Sequence, residues 1–423
     1  MKNLIKSVLA LTLGLVALAA SAQNTRQLQY FRPQGFEGLN VFETPKTDTV
    51  GYEGVKVLVG GDFAIIFQGL DQTNNYQNNN TIDTLVELSN NFTLPTANLN
   101  LDVQIADGVR MHLRTYLSSR HHPEAWVKGG YFQIDKLDFI EEGFLSGLME
   151  VATLRFGMDE INYGDVHFRR SDNARSLYNP FVGNYIMDAF TTEPFAELTL
   201  QSNGILGVVG ISNGRLNQKP EASDDGMAMY AKLGYDKQVK DGVRLRLTGS
   251  VYHSTDKGTR DYLYAGDRAG ARYYSVLHGI NAGGSDFVPR FNPGYAYQTA
   301  FQLNPFVKVG GVEFFGVVER TTNGNSDQEG GFTQLGAELI YRFGGREQLY
   351  IGGRYNQVKG EKFENTPEQI IKRTNLGGGW FMTDNVLTKI EYVTSDYSGE
   401  GFDNTLLEGA EFNGIVIEAA ISF

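Results

Sequence analysis

The stretch ANLNLDVQIADGVRMHLR, residues 97–114, decides the fold class. Ala97, Leu99, Leu101, Val103 and Ile105 share one parity, and Asn98, Asn100, Asp102 and Gln104 share the other. A period of two belongs to a β-strand, because successive side chains leave opposite faces of the sheet. After the turn Ala106-Asp107-Gly108 the rhythm resumes, with Val109, Met111 and Leu113 set against Arg110, His112 and Arg114. Two alternating runs joined by a tight turn read as a hairpin. In a soluble sandwich the apolar parity packs inward; in a membrane barrel it turns to lipid and the polar parity lines the interior. One hairpin fits both, so the whole chain must decide.

Working outward, alternation recurs almost without a break from residue 55. Asp241-Gly242 repeats the turn, followed by Val243, Leu245 and Leu247 against Arg244, Arg246 and Thr248. The pattern predicts sixteen strands between residue 56 and Phe423, the last alternating cleanly from Asn413 to the terminal phenylalanine. Short joins (106–108, 203–204, 309–311) alternate with long polar ones (70–92, 159–193, 254–298). Short turns on one side and long loops on the other are the habit of bacterial outer-membrane barrels, and a soluble sandwich has no reason to alternate them. Arg110, Arg114, Arg155, Arg244, Arg246 and Arg354 share the inward parity. A small packed core would not tolerate them, whereas a sixteen-stranded wall leaves room for water to solvate them. The fold class is therefore all-β, a transmembrane antiparallel barrel with its chain ends on the periplasmic side. Phe67, Tyr341, Phe343, Tyr355, Tyr392 and Phe423 sit at strand ends, where interfacial aromatic girdles are expected.

Composition agrees. The chain has 423 residues, a formal charge of −12, 50 glycines and no cysteine. Without cysteine there are no disulfides or thiol chemistry. The acidic balance argues against nucleic acid, which needs a basic footprint. No apolar run after residue 22 approaches the ~18 residues of a membrane helix. Ahead of it, Lys2 and Lys6 precede the apolar run Val8 to Ala19, and Ala20-Ser21-Ala22 presents small residues for cleavage, so 1–22 reads as an export signal and Gln23 as the mature start. Residues 23–54 then form a periplasmic or lumenal segment, and 55–423 the barrel.

The join at 159–193 mixes Asn162-Tyr163-Gly164-Asp165, Arg169-Arg170-Ser171-Asp172-Asn173 and Tyr178-Asn179-Pro180-Phe181. Its length and charge fit a loop that folds into the lumen and narrows it. The join at 254–298 carries Arg260, Arg268, Arg272 and Arg290 among tyrosines, and reads either as a lid over the mouth or as a contact with neighbouring protomers. Candidate pore-lining and constriction residues are Arg110, Arg114, Arg155, Arg169, Arg170, Arg244, Arg246 and Arg354. Inward-parity acids nearly match the inward bases in number, so any anion path must come from local clustering. The histidines (His112, His121, His122, His167, His253 and His278) stand in no nucleophile motif, and adjacent strand residues such as His121 and His122 point apart. The sequence thus points to no catalytic, metal or cofactor site, and segment 23–54 is too short for a plug domain.

The chain resembles the phosphate-selective porin O and P family of exported, sixteen-stranded trimers. The resemblance rests on segment 23–54, on Trp126-Val127-Lys128-Gly129-Gly130-Tyr131-Phe132, on Leu154-Arg155-Phe156-Gly157-Met158 with the long loop after it, and on Phe423. It implies an arginine ladder on the lumen wall, a homotrimer and recognition of Phe423 by the barrel-assembly machinery. The further partners expected are outer-membrane lipid and lipopolysaccharide, the latter met through divalent cations at acidic outer loops. The chain departs from the family's lysine-rich patches, because loop 159–193 contains no lysine. The expected function is passive diffusion of small hydrophilic solutes across the outer membrane, with a mild preference for phosphate-like anions. The rival readings are a non-conducting structural barrel within a larger assembly and a barrel enzyme.

Overall fold

The computed structural model describes residues 28–47, 50–77, 84–118, 125–171, 175–215, 226–255, 263–265, 269–282, 286–295, 297–324 and 329–423. The expected export signal, His121, His122, Arg260 and Arg268 lie outside the described residues. Sixteen strands close into one barrel. They are β1 (Lys56–Thr73), β2 (Asn91–Ala106), β3 (Val109–Leu117), β4 (Trp126–Ile134), β5 (Ala152–Glu160) and β6 (Thr192–Ser202). Next come β7 (Ile205–Ser212), β8 (Ala228–Lys240), β9 (Val243–Ser254), β10 (Gln298–Val309) and β11 (Val312–Asn323). The wall finishes with β12 (Gly331–Phe343), β13 (Leu349–Glu361), β14 (Gln369–Thr383), β15 (Val386–Ser398) and β16 (Glu411–Ser422). Each strand pairs antiparallel with its sequence neighbours, and β16 returns to β1 with Phe63 opposite Ile421 and Thr73 opposite Glu411. Phe423 extends that seam through reciprocal backbone hydrogen bonds with Gly61, both 3.0 Å.

The tight turns follow from residue chemistry. Asn203 and Gly204 both adopt positive φ, +51° and +87°, the conformation a two-residue turn needs if it is to match the twist of its strands. Several strands run further than their apolar rhythm predicts. β1 continues to Thr73 and β8 to Lys240, because ladder pairing persists after the side chains leave the lipid band.

Parity sorts the wall into two faces. Outward side chains such as Val59, Leu99, Leu233, Leu339, Ile351 and Ile390 are exposed, and their even spacing makes an apolar belt suited to lipid. Tyr341, Phe343, Tyr355, Tyr392 and Phe423 also stand exposed on the outer surface, and Phe67 packs edge-on against Phe92 beside them.

The interior differs from expectation. The inward arginines are not solvated in a broad channel: Arg110, Arg114, Arg246 and Arg354 are buried. Among the described residues, three segments occupy the barrel: residues 28–47 with Val50, residues 161–171 and 175–191 of the loop between β5 and β6, and the described part of the join between β9 and β10. The last of these reaches past the mouth that a lid would cover. It turns inward, where Arg272 pairs with Glu418, Tyr273 donates to Glu391 at 2.7 Å and Tyr264 donates to Glu319 at 2.8 Å. The physical reason is the polar inner face, which offers partners for loop charges and backbone groups that solvent would otherwise supply.

Leu339 projects from the periplasmic half of β12 and is 57 % exposed on the lipid face. Leu339→Arg should destabilise the folded barrel, by less than the roughly 2–4 kcal/mol of a cation at the bilayer midplane because position 339 lies toward the periplasmic interface. Reversible urea unfolding in lipid vesicles reads this directly, and an unchanged midpoint would reverse the assignment of faces.

Candidate functional site

The loop between β5 and β6 crosses the interior because inward side chains satisfy its backbone. The Ile186 N–H donates to Asn356 Oδ1 at 2.6 Å and the Met187 N–H to Gln334 Oε1 at 2.9 Å. Glu391 accepts the N–H groups of Val182 and Gly183 at 2.8 and 3.2 Å. Lys389 donates to the carbonyls of Ser176, Asn179 and Phe181. A loop with this many wall contacts is held on one path rather than left to wave in the mouth.

Most of the arginines singled out from sequence are spent in this anchoring. Arg354 pairs with Glu338 at 2.7 Å and also donates to the Gly183 carbonyl and Asn179 Oδ1, both at 2.7 Å. From the loop, Arg169 meets Glu338 at 2.6 Å, while Arg170 binds Asp188 and lies 3.8 Å above the Phe190 ring. Arg244 grips Asp236 bidentately at 2.8 and 2.7 Å. Arg246 reaches Asp165, Glu43 and Asp236 at 2.8, 2.8 and 3.0 Å.

Asp165 is the hub of a buried cluster. It also takes an ion pair from Lys232 at 3.0 Å and a hydroxyl hydrogen bond from Thr248 at 2.7 Å. Lys232 in turn reaches Glu43 at 3.2 Å, so the cluster joins β8 and β9 to the loop and to the N-terminal segment. Burial opposes the Glu43 charge, but Arg246 and Lys232 outweigh it and hold the carboxyl at about 2. The same balance keeps Asp165 well below the usual carboxylate range. Burial lowers His167 to about 4, leaving it neutral at physiological pH.

The remaining three arginines behave differently. Arg110 and Arg114 on β3 and Arg155 on β5 converge on a cavity of about 130 Å³, together with Arg32 from the N-terminal segment and Arg175 from the loop. Arg114 and Arg155 lie 3.6 and 3.4 Å from Asp159 and Glu197. Arg175 is neutralised by Glu160. Arg110 donates to Gln133 at 2.8 Å and faces the Phe31 and Tyr131 rings at 5.5 and 5.7 Å. Arg32 donates to the Gly38 carbonyl at 3.0 Å and stacks 4.2 Å from the Tyr178 ring. Neither Arg32 nor Arg110 has a carboxylate within ion-pair distance among the described residues. Buried guanidinium nitrogens of Arg32, Arg110, Arg114 and Arg155 have no hydrogen-bond partner there. Burial lowers Arg32 to about 10, so it remains a cation at neutral pH. Glu43, Asp102, Asp159, Glu160 and Glu197 line the same cavity and match its five arginines in number. The unpartnered guanidinium nitrogens nevertheless exceed the unpartnered carboxylate oxygens, which are those of Asp102 and Glu160, and the guanidinium fork geometry matches a planar or tetrahedral oxyanion.

Sequence reading missed Arg32, Asn40, Glu43 and Lys232. Lys232 shares the inward parity of Tyr230 and Asp236, a signal that could have found it. Asn40 donates to Glu313 at 2.8 Å and accepts from Arg169, but its segment has no periodicity to announce that contact.

Asp165→Asn should leave Lys232 and Arg246 short of a buried partner and cost about 3–5 kcal/mol, the usual penalty for breaking such a cluster. The shifts also give a sign for pH. Glu43 and Asp165 are depressed from ordinary values of 4.5 and 3.8, so their stabilisation is complete above that range and lost as pH falls toward 2. His167, depressed from 6.5, contributes above that value and fades on the way to 4. Urea midpoints in vesicles should decline gently below pH 6.5 and steeply below about pH 4. In Asp165→Asn the steep limb should shrink.

No protein-family model matches the sequence, and no curated protein matches it. Solved structures match the fold. An outer-membrane protein of Vibrio cholerae, OmpT folded in vitro, superposes with a TM-score of 0.53 at 11% identity, covering 88% of this chain and 99% of that one. The outer-membrane channel DcaP of Acinetobacter baumannii gives 0.51 at 11%, with 88% and 99% covered. The anion-selective porin from Comamonas acidovorans gives 0.52 at 8%, with 87% and 100% covered. At these identities the likeness establishes the fold alone: a closed sixteen-stranded antiparallel barrel of porin architecture.

Proposed function

We propose that the chain is a passive outer-membrane channel for small hydrophilic solutes, with anions favoured over cations. The observation that carries this reading is the cavity at Arg32, Arg110, Arg114 and Arg155, where, among the described residues, six buried guanidinium nitrogens but only two buried carboxylate oxygens (of Asp102 and Glu160) have no hydrogen-bond partner. A guanidinium without a carboxylate attracts the mobile ion of opposite sign, and in a water-excluding passage that attraction is stronger than in bulk water. Phosphate-like oxyanions suit the fork geometry, and the resemblance to phosphate-selective porins points the same way.

The three inserted segments limit solute size. With so much of the interior occupied, the path is narrow, so unitary conductance should be small beside that of an open barrel of sixteen strands. The only driving force in this reading is the solute gradient, and the arginines bind and guide rather than catalyse. A homotrimer delivered by an export signal and assembled through recognition of Phe423 completes it. The filled interior favours one second reading, a non-conducting barrel that serves as a structural part of a larger assembly.

Planar-bilayer recording in asymmetric KCl separates the two. The channel reading expects discrete steps and a reversal potential shifted toward the chloride equilibrium potential. Arg110→Gln should move the reversal potential toward zero by removing a cation that lacks a carboxylate partner, with little effect on folding. Millimolar inorganic phosphate should block the chloride current in wild type more strongly than in Arg110→Gln. A cation-selective reversal potential overturns the anion preference, and absence of any conductance favours the structural barrel.

A further inference from the structure

The outer wall carries a second feature, independent of the lumen. Between β8 and β11 the lipid face is indented by a groove of about 480 Å³. Its sides are Leu233, Val251, Phe301, Leu303 and Val318, and its floor opens at Gly249. Leu233 and Phe301 are 74 % and 55 % exposed, standing up as opposite walls. The dent exists because glycine occupies an outward position: a Cβ built there would meet only Leu303 Cδ1, at 3.9 Å. Apolar walls at this depth suit a hydrocarbon chain.

The groove ends at a cation. Arg320 also lines it, is exposed on the outward parity of β11, and lies opposite Phe301 in register. Its hydrogen bond runs to Thr333 Oγ1 at 3.1 Å, and no carboxylate lies within ion-pair distance of it among the described residues. Lys359, outward on β13, is by contrast neutralised by Glu368 at 3.0 Å. Around Arg320 the outward residues turn polar. Thr299 pairs in register with Thr322 on one side and His253 on the other, and His253 Nδ1 lies 2.9 Å from Thr299 Oγ1. The boundary from apolar groove to polar rim therefore falls at Arg320.

Its height fits a headgroup. β11 begins at Val312, beside the periplasmic turn, and a tilted strand climbs roughly 2.5 Å per residue. Arg320 is then about 20 Å up an apolar band of about 25 Å, near the outer-leaflet interface. A cation on a lipid-facing surface is costly unless an anion meets it. We propose that this groove and Arg320 form a binding site for the phosphorylated, multiply acylated glucosamine lipid that anchors lipopolysaccharide in the outer leaflet. One acyl chain lies along Leu233, Val251 and Phe301, and a glucosamine phosphate sits on the Arg320 guanidinium, with the rim threonines and His253 within reach of the sugar.

Native mass spectrometry of the detergent-purified full chain, titrated with bisphosphorylated lipid A, tests this. Wild type should retain lipid A, and Arg320→Gln should weaken binding about tenfold, the size of one charge-assisted hydrogen bond. Gly249→Leu, whose Cβ has open space and whose side chain extends into the groove, should weaken it by a similar factor. Dephosphorylated lipid A should bind wild type no better than lipid A binds Arg320→Gln. Both variants should keep wild-type heat-modifiable mobility and wild-type conductance. Equal affinity of the three proteins for lipid A overturns the site. So does a Gly249→Leu variant that loses its oligomeric state while binding lipid A normally, because a second copy of the chain would then be the occupant.

Discussion

The structure depends on one constraint: within hydrocarbon, every backbone N–H and C=O must find its partner inside the sheet. The only way for strands to meet it is closure, and here the meeting of β1 with β16 supplies it over twelve paired positions, from Asp62 opposite Ser422 to Thr73 opposite Glu411. Closure also fixes which way each residue points. A slip of one residue at that seam would send Asp62 and Glu418 into lipid and bring Phe63 and Ile417 inside. The alternation of the sequence and the hydrogen-bond ladder are therefore two expressions of a single requirement.

Once the wall is closed, its inner face becomes the problem to solve. It is rich in Arg, Lys, Glu and Asp, and yet it is not left to water. Three segments of the same chain lie against it and bring their own charges. Asp165 and Glu43 meet Lys232 and Arg246, Arg272 meets Glu418, and Arg169 shares Glu338 with Arg354. Buried ion pairs of this kind return little net stability after desolvation. What they supply is address: a loop whose charges match only one set of wall residues has one path through the barrel. Aromatic rings reinforce it, as where Phe42 packs edge-on against both Phe168 and Phe306.

The wall was legible in the sequence because its information is local. Residues 97–114 contain a complete hairpin, and repeating that rhythm is enough to count strands and assign faces. The fate of the inward arginines was not legible, because their partners are distant. Arg246 depends on Glu43, 203 residues away, and on Asp165, 81 away. Nothing in the spacing of either acid reveals it. Parity showed correctly that Arg110, Arg114, Arg155 and Arg354 point inward, yet it could not separate an arginine spent on a carboxylate from one left over. That distinction needs the course of residues 28–47, a segment with no period to read. The one omission that parity could have prevented is Lys232.

The same bookkeeping of charge links the two faces of the wall. Among the described residues, Arg110 faces the interior with an amide and two rings but no carboxylate within ion-pair distance, and Arg320 faces lipid with a threonine hydroxyl but no carboxylate within that distance. Both stand in a chain with a formal charge of −12, where acids are plentiful and most other strand arginines have found one. A cation held away from bulk water is costly unless some anion compensates it, whether fixed in the protein or supplied from outside. Inside the barrel the available mobile anion is a solute passing through the lumen. Outside, at the height of the outer-leaflet headgroups, it is a phosphate carried by the lipid itself. Arg110 and Arg320 thus mark two places where the wall meets its surroundings, and each location specifies the chemistry of its partner.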